Sequence, residues 1–401
     1  MDFAPNRSTG LNRLYGFVSH AGRKYAASRN HDNGVKRDNV SQLSPWLHAG
    51  LLGEREVLAA VLTKHSPDQA EKFIAEVFWR LYFKGYLEQR PSIWAAYGRQ
   101  RDEAFAALTG NAGLTKAYAE AIEGRTGIAA FDHWARELVA TGYLHNHARM
   151  WFASIWIFTL KLDWALGADF FLRHLMDGDA ASNTLSWRWV GGLHTVGKTY
   201  LARAENIARY TEHHPDGPLT AEGLARHVEP LTEGEQHGRQ RLGLPPAPYP
   251  SAFAQPFALL LHDEGASHCL LDLPHPPALV IGAARPHARS PQPVGTYASD
   301  FAHGAVRSGM EAAGAAFACP TAEWTQETSL ASLLENAGLT RIVTPYLPTG
   351  WTRDALWPGL ERHAPIQLLP ETSRQTFPHA RAGFFAVKKE IPQILHATRL
   401  A

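Results

Sequence analysis

Asp177-Gly178-Asp179-Ala180-Ala181-Ser182-Asn183-Thr184-Leu185-Ser186-Trp187-Arg188-Trp189 is the stretch whose reading decides how this chain folds. Two carboxylates straddle a glycine, and an asparagine and a Trp-x-Trp pair follow. A calcium loop would need further oxygen ligands and a closing glutamate, which the stretch does not supply. A structural turn with core tryptophans is the plain alternative. Upstream, Thr141-Gly142-Tyr143-Leu144-His145-Asn146-His147-Ala148-Arg149-Met150 breaks from a polar cluster into a strongly apolar helix. That places Asn146, Arg149 and Met150 near the helix start, where a buried Asn or Arg needs a partner. His145 and His147 stand two apart with no third ligand at a sensible spacing, so no metal is expected.

Two earlier segments belong with these. In Glu76-Val77-Phe78-Trp79-Arg80 the charged pair sits at i and i+4 on one helical face, with Trp79 beside it. Alone, this reads as a surface ion pair next to a core tryptophan. In Val40-Ser41-Gln42-Leu43-Ser44-Pro45-Trp46-Leu47, hydroxyls precede a proline-started helix. A positive helix end with such donors suits a phosphate, although an ordinary N-cap explains the pattern as well.

Composition narrows the class. The chain has 401 residues, 45% hydrophobic and 19% charged, which is ample for two globular domains. A formal net charge of +1 excludes a globally basic DNA-coating protein, so any nucleic-acid site must be a local basic face. Residues 1–40 offer one: Arg23, Lys24, Arg29, Lys36 and Arg37 outnumber Asp32 and Asp38. Cys269 and Cys319 lie far apart, which argues against a disulfide framework or an iron–sulfur or zinc site and fits a reducing cytoplasm. The opening MDFAPNRSTG shows no export signal. The apolar run from Met150 to Leu160 is closed by Lys161 and Asp163, short of the ~20 residues that span a bilayer. A cytoplasmic protein with no membrane partner is expected.

Periodicity divides the chain. Apolar residues recur at three- and four-residue steps up to about residue 210, as in Phe73, Val77, Phe78, Leu81 and Tyr82. Ser66-Pro67-Asp68 is expected to open that helix and Arg90-Pro91 to end it. We therefore expect an all-α domain over 1–210. The proline-rich 211–252 reads as a linker. From 253 to 401 the runs PFALLLH, PALVIGAA, AAFACP, RIVTPY and PIQLLP alternate with helix-like segments near 300–314, 328–337 and 351–363. That predicts a smaller Rossmann-like α/β domain with a parallel sheet, without the G-x-G-x-x-G fingerprint.

Taken in order, the four motif segments resemble the FAD-binding domain of the DNA photolyase/cryptochrome family. That family shows T-S-x-L-S-P-Y-L, E-x-x-W-R, T-G-W-M-H-N-R-x-R-M and D-G-D-x-A-x-N-x-x-x-W-x-W. The intervening FDHWARELVATG and LKLDWALGADFFLRHLM match as well, so the resemblance covers roughly residues 20–200. It implies that Tyr25 and the loop Ser41, Gln42, Leu43 and Ser44 hold the phosphates and adenosine side of FAD. Arg149 and Asp177 would pair beside the isoalloxazine, Asp179 would sit on its polar edge, and Asn183 would face N5. Glu76, Trp79, Asn146, Met150 and Trp189 would line a cavity for a flipped pyrimidine dimer, with Arg29 and Arg80 on DNA phosphates. Glu76 would hydrogen-bond a thymine carbonyl.

The departures are specific. Trp187 and Trp164 match two members of the family's electron relay, but the third position falls near Asn111, leaving Tyr118 or Trp94 as substitutes. Gln42 replaces a common Arg and Val40 a common Thr. After Trp189, VGGLHTVGKTYLARAENIARYT replaces an N-P segment and long helix. The family's α/β antenna domain normally comes first. Here FPHARAGFFAVKKEIPQIL, near the C-terminus, resembles the text that joins antenna to flavin domain, as in a circular permutation. The resemblance implies a monomeric enzyme acting on damaged DNA, a deoxyribodipyrimidine photolyase using FAD, with a second antenna chromophore of folate or deazaflavin type left open. The H-N-H text lacks the paired histidines of (6-4) enzymes, which favours cyclobutane dimers. A blue-light photoreceptor without repair, or a light-independent flavin protein, are the alternatives.

Overall fold

The structure is a computed structural model that describes residues 3–400 apart from the Lys36 side chain; the first two residues of the export-signal reading and the Lys36 member of the basic group lie outside it. The helical half runs α1 (Arg7–Phe17), α2 (Arg23–Ser28), α3 (Ser44–His48), α4 (Glu54–Leu62), α5 (Glu71–Glu88) and α6 (Pro91–Thr109). It continues through α7 (Ala112–Ile122), α8 (Ala129–Thr141), α9 (Asn146–Ser154), α10 (Trp164–His174), α11 (Ala180–Gly191) and α12 (Ala204–Tyr210).

Helix α5 buries Phe73, Ile74, Val77, Phe78, Leu81 and Tyr82, the residues whose spacing marked it. It starts at Glu71, later than Ser66-Pro67-Asp68, because residues 66–70 form a separate turn in which Ala70 N–H bonds Ser66 O at 3.1 Å. Pro91 then opens α6, where its missing N–H costs nothing. Helix α9 passes into a π-helical turn over Ile155–Thr159. Gly167 of α10 is needed where α11 crosses it: a Cβ there would lie 2.3 Å from Trp187. Trp134, Trp151, Trp156 and Trp187 are among the most fully buried side chains, which accounts for the tryptophan-rich first half.

Residues 211–249 form no regular element but are not a free tether. Leu219 and Ala221 are buried, Glu233 takes a two-pronged ion pair from Arg188 (2.8 and 2.5 Å), and Gln240 N–H bonds Gln89 O at 2.8 Å. The segment lies along the helical half as a strap.

The remainder is α/β: β1 (Phe257–His262), β2 (Leu279–Ala283), α13 (Thr296–Phe317), β3 (Thr321–Glu323), α14 (Leu330–Asn336), β4 (Arg341–Pro345), α15 (Trp351–Leu360), β5 (Ile366–Leu368), α16 (Glu371–Thr376) and α17 (Phe385–Ala397). All strands are parallel in the order β3-β2-β1-β4-β5. Strands β1 and β2 are buried throughout, as a sheet covered on both faces requires. The run AAFACP, expected as a strand, is instead the end of α13. Its alanines extend the helix, and the strand that follows is an edge with alternating exposure and no apolar run to announce it. Gly309 of α13 lets that helix lie against the chain after β1, since a Cβ would fall 1.6 Å from Ala266 O. In this strand order the topological switch lies beside β1, so the crevice opens past the C-terminal ends of β1 and β4. That crevice faces the helical half.

Several histidines are buried where desolvation favours the neutral ring: burial pushes His145 down to about 3 and His174, His194 and His262 to about 4. Between pH ~6.5 and ~4 the unfolded chain therefore binds protons at these sites that the folded chain does not, and stability falls as pH falls, by up to about 1.4 kcal/mol per unit per ring. Asp169 and Asp263, raised by burial to about 6, act in the opposite sense over pH 6 to 4, but they are two against four. Urea midpoints are expected to decrease from pH 7 to 6 to 5. Midpoints that hold steady or rise would show the rings are not kept neutral.

Candidate functional site

The turn over Asp177–Asp179 is where the motif segments meet one another and where the α/β half touches them. Asp177, in the turn before α11, accepts both prongs of Arg149 from α9, Nη1 to Oδ1 at 3.1 Å and Nη2 to Oδ2 at 2.9 Å. The same guanidinium fixes itself by donating Nε–H to Leu144 O at 3.0 Å. Burial alone would raise the Asp177 carboxyl, but Arg149, the Ser44 hydroxyl and His48 outweigh it and hold it below the usual range. Through Ser44 the pair reaches the Ser41–Ser44 loop. There Gln42 adopts a left-handed φ of +54°, and its Oε1 accepts from Arg13 Nη1 at 2.7 Å. Its buried Nε2 has no partner among the described residues. Leu43 is buried under this turn, and Pro45 starts α3 directly after it. Tyr25 is buried nearby, edge-on to Phe73 at 5.3 Å.

Glu76 ion-pairs with Arg29 across α5 and α2. Desolvation raises the Glu76 carboxyl against the pull of Arg29, yet 34% of its side chain remains accessible. Arg149 is a quarter exposed, Met150 half-buried and Asn146 exposed at the α9 start. Trp79 is half-buried and stacks on Phe384, just before α17, with ring centroids 3.9 Å apart at 12°. Trp189 stacks on Tyr200 at 5.6 Å.

Asp179 caps α11 by accepting Ser182 N–H at 2.7 Å through Oδ1. Its Oδ2 faces Arg80 Nη2 at 3.1 Å, His48 Nδ1 at 3.5 Å and Lys84 Nζ at 3.5 Å. Lys84 in turn meets Glu264, just past β1, at 2.6 Å. Despite burial, the cations hold Asp179 well below the usual carboxylate range. Arg80, expected on a DNA phosphate, is therefore turned inward; it also lies 3.3 Å from Glu54. The physical reason is that an inward Arg80 neutralises two buried carboxylates. His48, Lys84 and Glu264 were not singled out from sequence. The i,i+4 ladder Glu76, Arg80, Lys84 could have flagged Lys84, but nothing local could flag Glu264.

Asn183 is buried and donates Nδ2–H to Ala168 O at 2.8 Å, which fixes the amide. Trp187 packs on Phe171 at 5.1 Å and Trp156 at 6.2 Å. Trp164 packs on Tyr97 at 5.7 Å, and Tyr97 on half-buried Trp94 at 5.3 Å. Tyr118 meets Trp156 edge-on at 6.1 Å.

Residues 73–222 match the family described as FAD binding domain of DNA photolyase. A deoxyribodipyrimidine photo-lyase of Thermus thermophilus is 33% identical over 221 residues, covering 53% of this chain and 49% of that protein. One from Streptomyces griseus is 34% identical over 205 residues, covering 48% and 42%. A cryptochrome DASH of Idiomarina loihiensis is 29% identical over 225 residues, covering 54% and 47%. Among solved structures, a bacterial class III photolyase from Agrobacterium tumefaciens aligns with a TM-score of 0.43 at 26% identity, covering 53% of this chain and 44% of that one. Over these stretches the chain is similar to members of the photolyase/cryptochrome family. It spans about half the length of the curated relatives it matches.

The residues present fit FAD at the Ser41–Ser44 turn, where a buried amide donor is left without a partner, and at the accessible Arg149–Asp177 pair. They fit less well at Asp179, whose outer oxygen is taken up by the cation cluster. Among the described residues no helix is long and apolar enough to cross a membrane.

Proposed function

We propose that this protein is a light-dependent DNA repair lyase that splits cyclobutane pyrimidine dimers. The observation that carries the reading is the Glu76–Arg29 pair, desolvated enough to raise the carboxyl yet still accessible. FAD, when bound and reduced, supplies the photoexcited electron. The chain's own part is to hold the Ser41–Ser44 turn and the Arg149–Asp177 pair rigid, and to present Glu76 to the lesion. A DNA phosphate that competes for Arg29 would release Glu76, whose raised pKa suits it to donate a hydrogen bond to a base carbonyl that is gaining negative charge. A damaged pair is already weakly held, so extruding it into an aromatic-walled site costs little.

Trp164, Tyr97 and Trp94 supply an aromatic series toward the surface in place of the relay tryptophan absent near Asn111. A cleft of about 1260 Å³ runs along the interface, lined by Lys84 and Glu54 on one side and by Glu264, Pro345 and Tyr346 at the strand ends. It has room for a second chromophore of folate or deazaflavin type. The α/β unit is then an antenna-like domain moved behind the flavin domain. Lys72 and Arg29, exposed and half-buried beside Glu76, and exposed Lys24 on α2 supply the local basic face that a chain of net charge +1 lacks as a whole.

The test mixes pre-reduced protein with an oligonucleotide carrying a thymine cyclobutane dimer under blue light. Dimer loss that requires light, and that Glu76→Ala slows by roughly 10²-fold, is expected. One observation favours a second reading, a photoreceptor without repair: Phe384 already covers one face of Trp79. Absence of dimer loss despite bound, reduced flavin would decide for it.

A further inference from the structure

Away from the flavin motifs, three chain segments meet in a buried group that the proposed function does not use. Asp32 lies in the loop after α2, Glu137 and His133 stand one turn apart on α8, and His214 lies in the turn after α12. Asp32 is fully buried, Glu137 is 7% exposed and His214 6%. Arg37 donates to Asp32 Oδ1 at 2.9 Å and to Glu137 Oε1 at 2.6 Å, through the same Nη2. Each carboxylate therefore spends one oxygen on the guanidinium and keeps the other free. Asp32 Oδ2, Glu137 Oε2 and His214 Nε2 are all buried without a hydrogen-bond partner among the described residues.

One ligand atom from each of Asp32, Glu137 and His214 lies within 4.8 Å of the other two. Two atoms that share a cation at ~2.0–2.2 Å can stand no more than about twice that distance apart, so a small inward movement closes the set. Two carboxylate oxygens and a ring nitrogen gathered in one dry space are a donor set that a cation would compensate, since burial of uncompensated charge is costly. The single positive charge of Arg37 answers only one of the two carboxylates. His133 adds a fourth donor: its Nε2 is 3.8 Å from Glu137 Oε2, and its ring is perpendicular to that of His214 at 4.7 Å. It is a quarter exposed, which gives an ion a way in. Gly34, at φ +67°, keeps the space before His214 open, since a Cβ there would lie 2.9 Å from Nε2.

We propose that Asp32, Glu137 and His214, with His133, bind a divalent transition-metal cation, zinc foremost. Two carboxylates and two imidazoles suit a borderline cation such as zinc or cobalt better than magnesium. Coordination through His214 Nε2 moves the ring proton to Nδ1, so the 3.1 Å bond that Nδ1 accepts from Asp216 N–H is exchanged for the metal bond. The ion would staple the Asp32 loop and the start of the strap to α8. The inference is independent of the repair reading.

The test uses the full chain stripped with a chelator, then incubated separately with zinc, cobalt and magnesium chloride and gel-filtered. One equivalent of zinc or cobalt is expected to be retained, with visible cobalt bands and a raised melting temperature, and magnesium is not. His133→Gln, on the accessible side and therefore foldable, is expected to weaken binding by roughly 10²-fold. His214→Gln should abolish the cobalt bands, while His147→Gln leaves them unchanged. No retained zinc or cobalt on folded wild-type protein, or equal retention by His133→Gln and His214→Gln, overturns the proposal.

Discussion

Replacing Asp179 with alanine is expected to destabilise the protein by about 3–5 kcal/mol, the cost of removing one partner from a buried ionic cluster. Asp179 is 4% exposed and sits among Arg80, Lys84 and His48. Without it, Arg80 keeps Glu54 and Lys84 keeps Glu264, but their mutual repulsion is no longer screened by a carboxylate between them. The substitution also removes the α11 N-cap, worth about 1 kcal/mol alone. Urea unfolding at pH 7 measures the sum. A double variant with Lys84→Met should recover part of the loss, because it removes one stranded charge. A change below about 1 kcal/mol would mean that water enters and screens the cluster.

Trp351→Ala is expected to cost a similar amount, about 3–5 kcal/mol, through the cavity it leaves. Trp351 is 1% exposed and opens α15, yet its indole N–H bonds Gly178 O at 2.8 Å, inside the Asp177–Asp179 turn. Arg289 lies over its ring at 4.8 Å and donates to Leu175 O at 2.8 Å. Two side chains of the α/β half thus hold the turn that carries Asp177 and Asp179. Trp351→Ala should therefore weaken flavin retention as well as stability. Trp351→Phe separates the effects: it keeps most of the packing and loses one hydrogen bond, about 1 kcal/mol. Flavin affinity unchanged in Trp351→Ala would show that the turn holds its shape unaided.

The helical half was legible because its chemistry is written locally. Helix α5 announces itself through buried residues at helical spacing, and α6 through Pro91. The Arg149–Asp177 pair could be named from two motifs 28 residues apart, because each is an uninterrupted run with its own signature. Edge strand β3 was not legible, since a strand with exposed alternate residues carries no apolar run. Nor was the strap, where proline-rich text hides the ion pair of Glu233 with Arg188.

The metal-ligand group shows the same limit more sharply. Asp32, Glu137 and His214 are far apart in the chain, in no motif, and only His133 and Glu137 share a helix face. The adjacent histidines His145 and His147, which drew attention in the sequence, instead bond the backbone carbonyls of Arg29 and Asn30.

By itself, then, the sequence determined the two kinds of secondary structure, their order, and the residues that resemble a flavin site. These follow from periodicity and from short motifs, which act over a helical turn or two. Only the tertiary structure decided that Arg80 turns inward, that Glu264 reaches across to Lys84 and Trp351 to the Asp177–Asp179 turn, and that Phe384 covers Trp79. Those choices depend on which charges and faces become neighbours once both halves have folded and excluded water. Electrostatic neutralisation and packing act on distance in space, and no spacing along the chain encodes it.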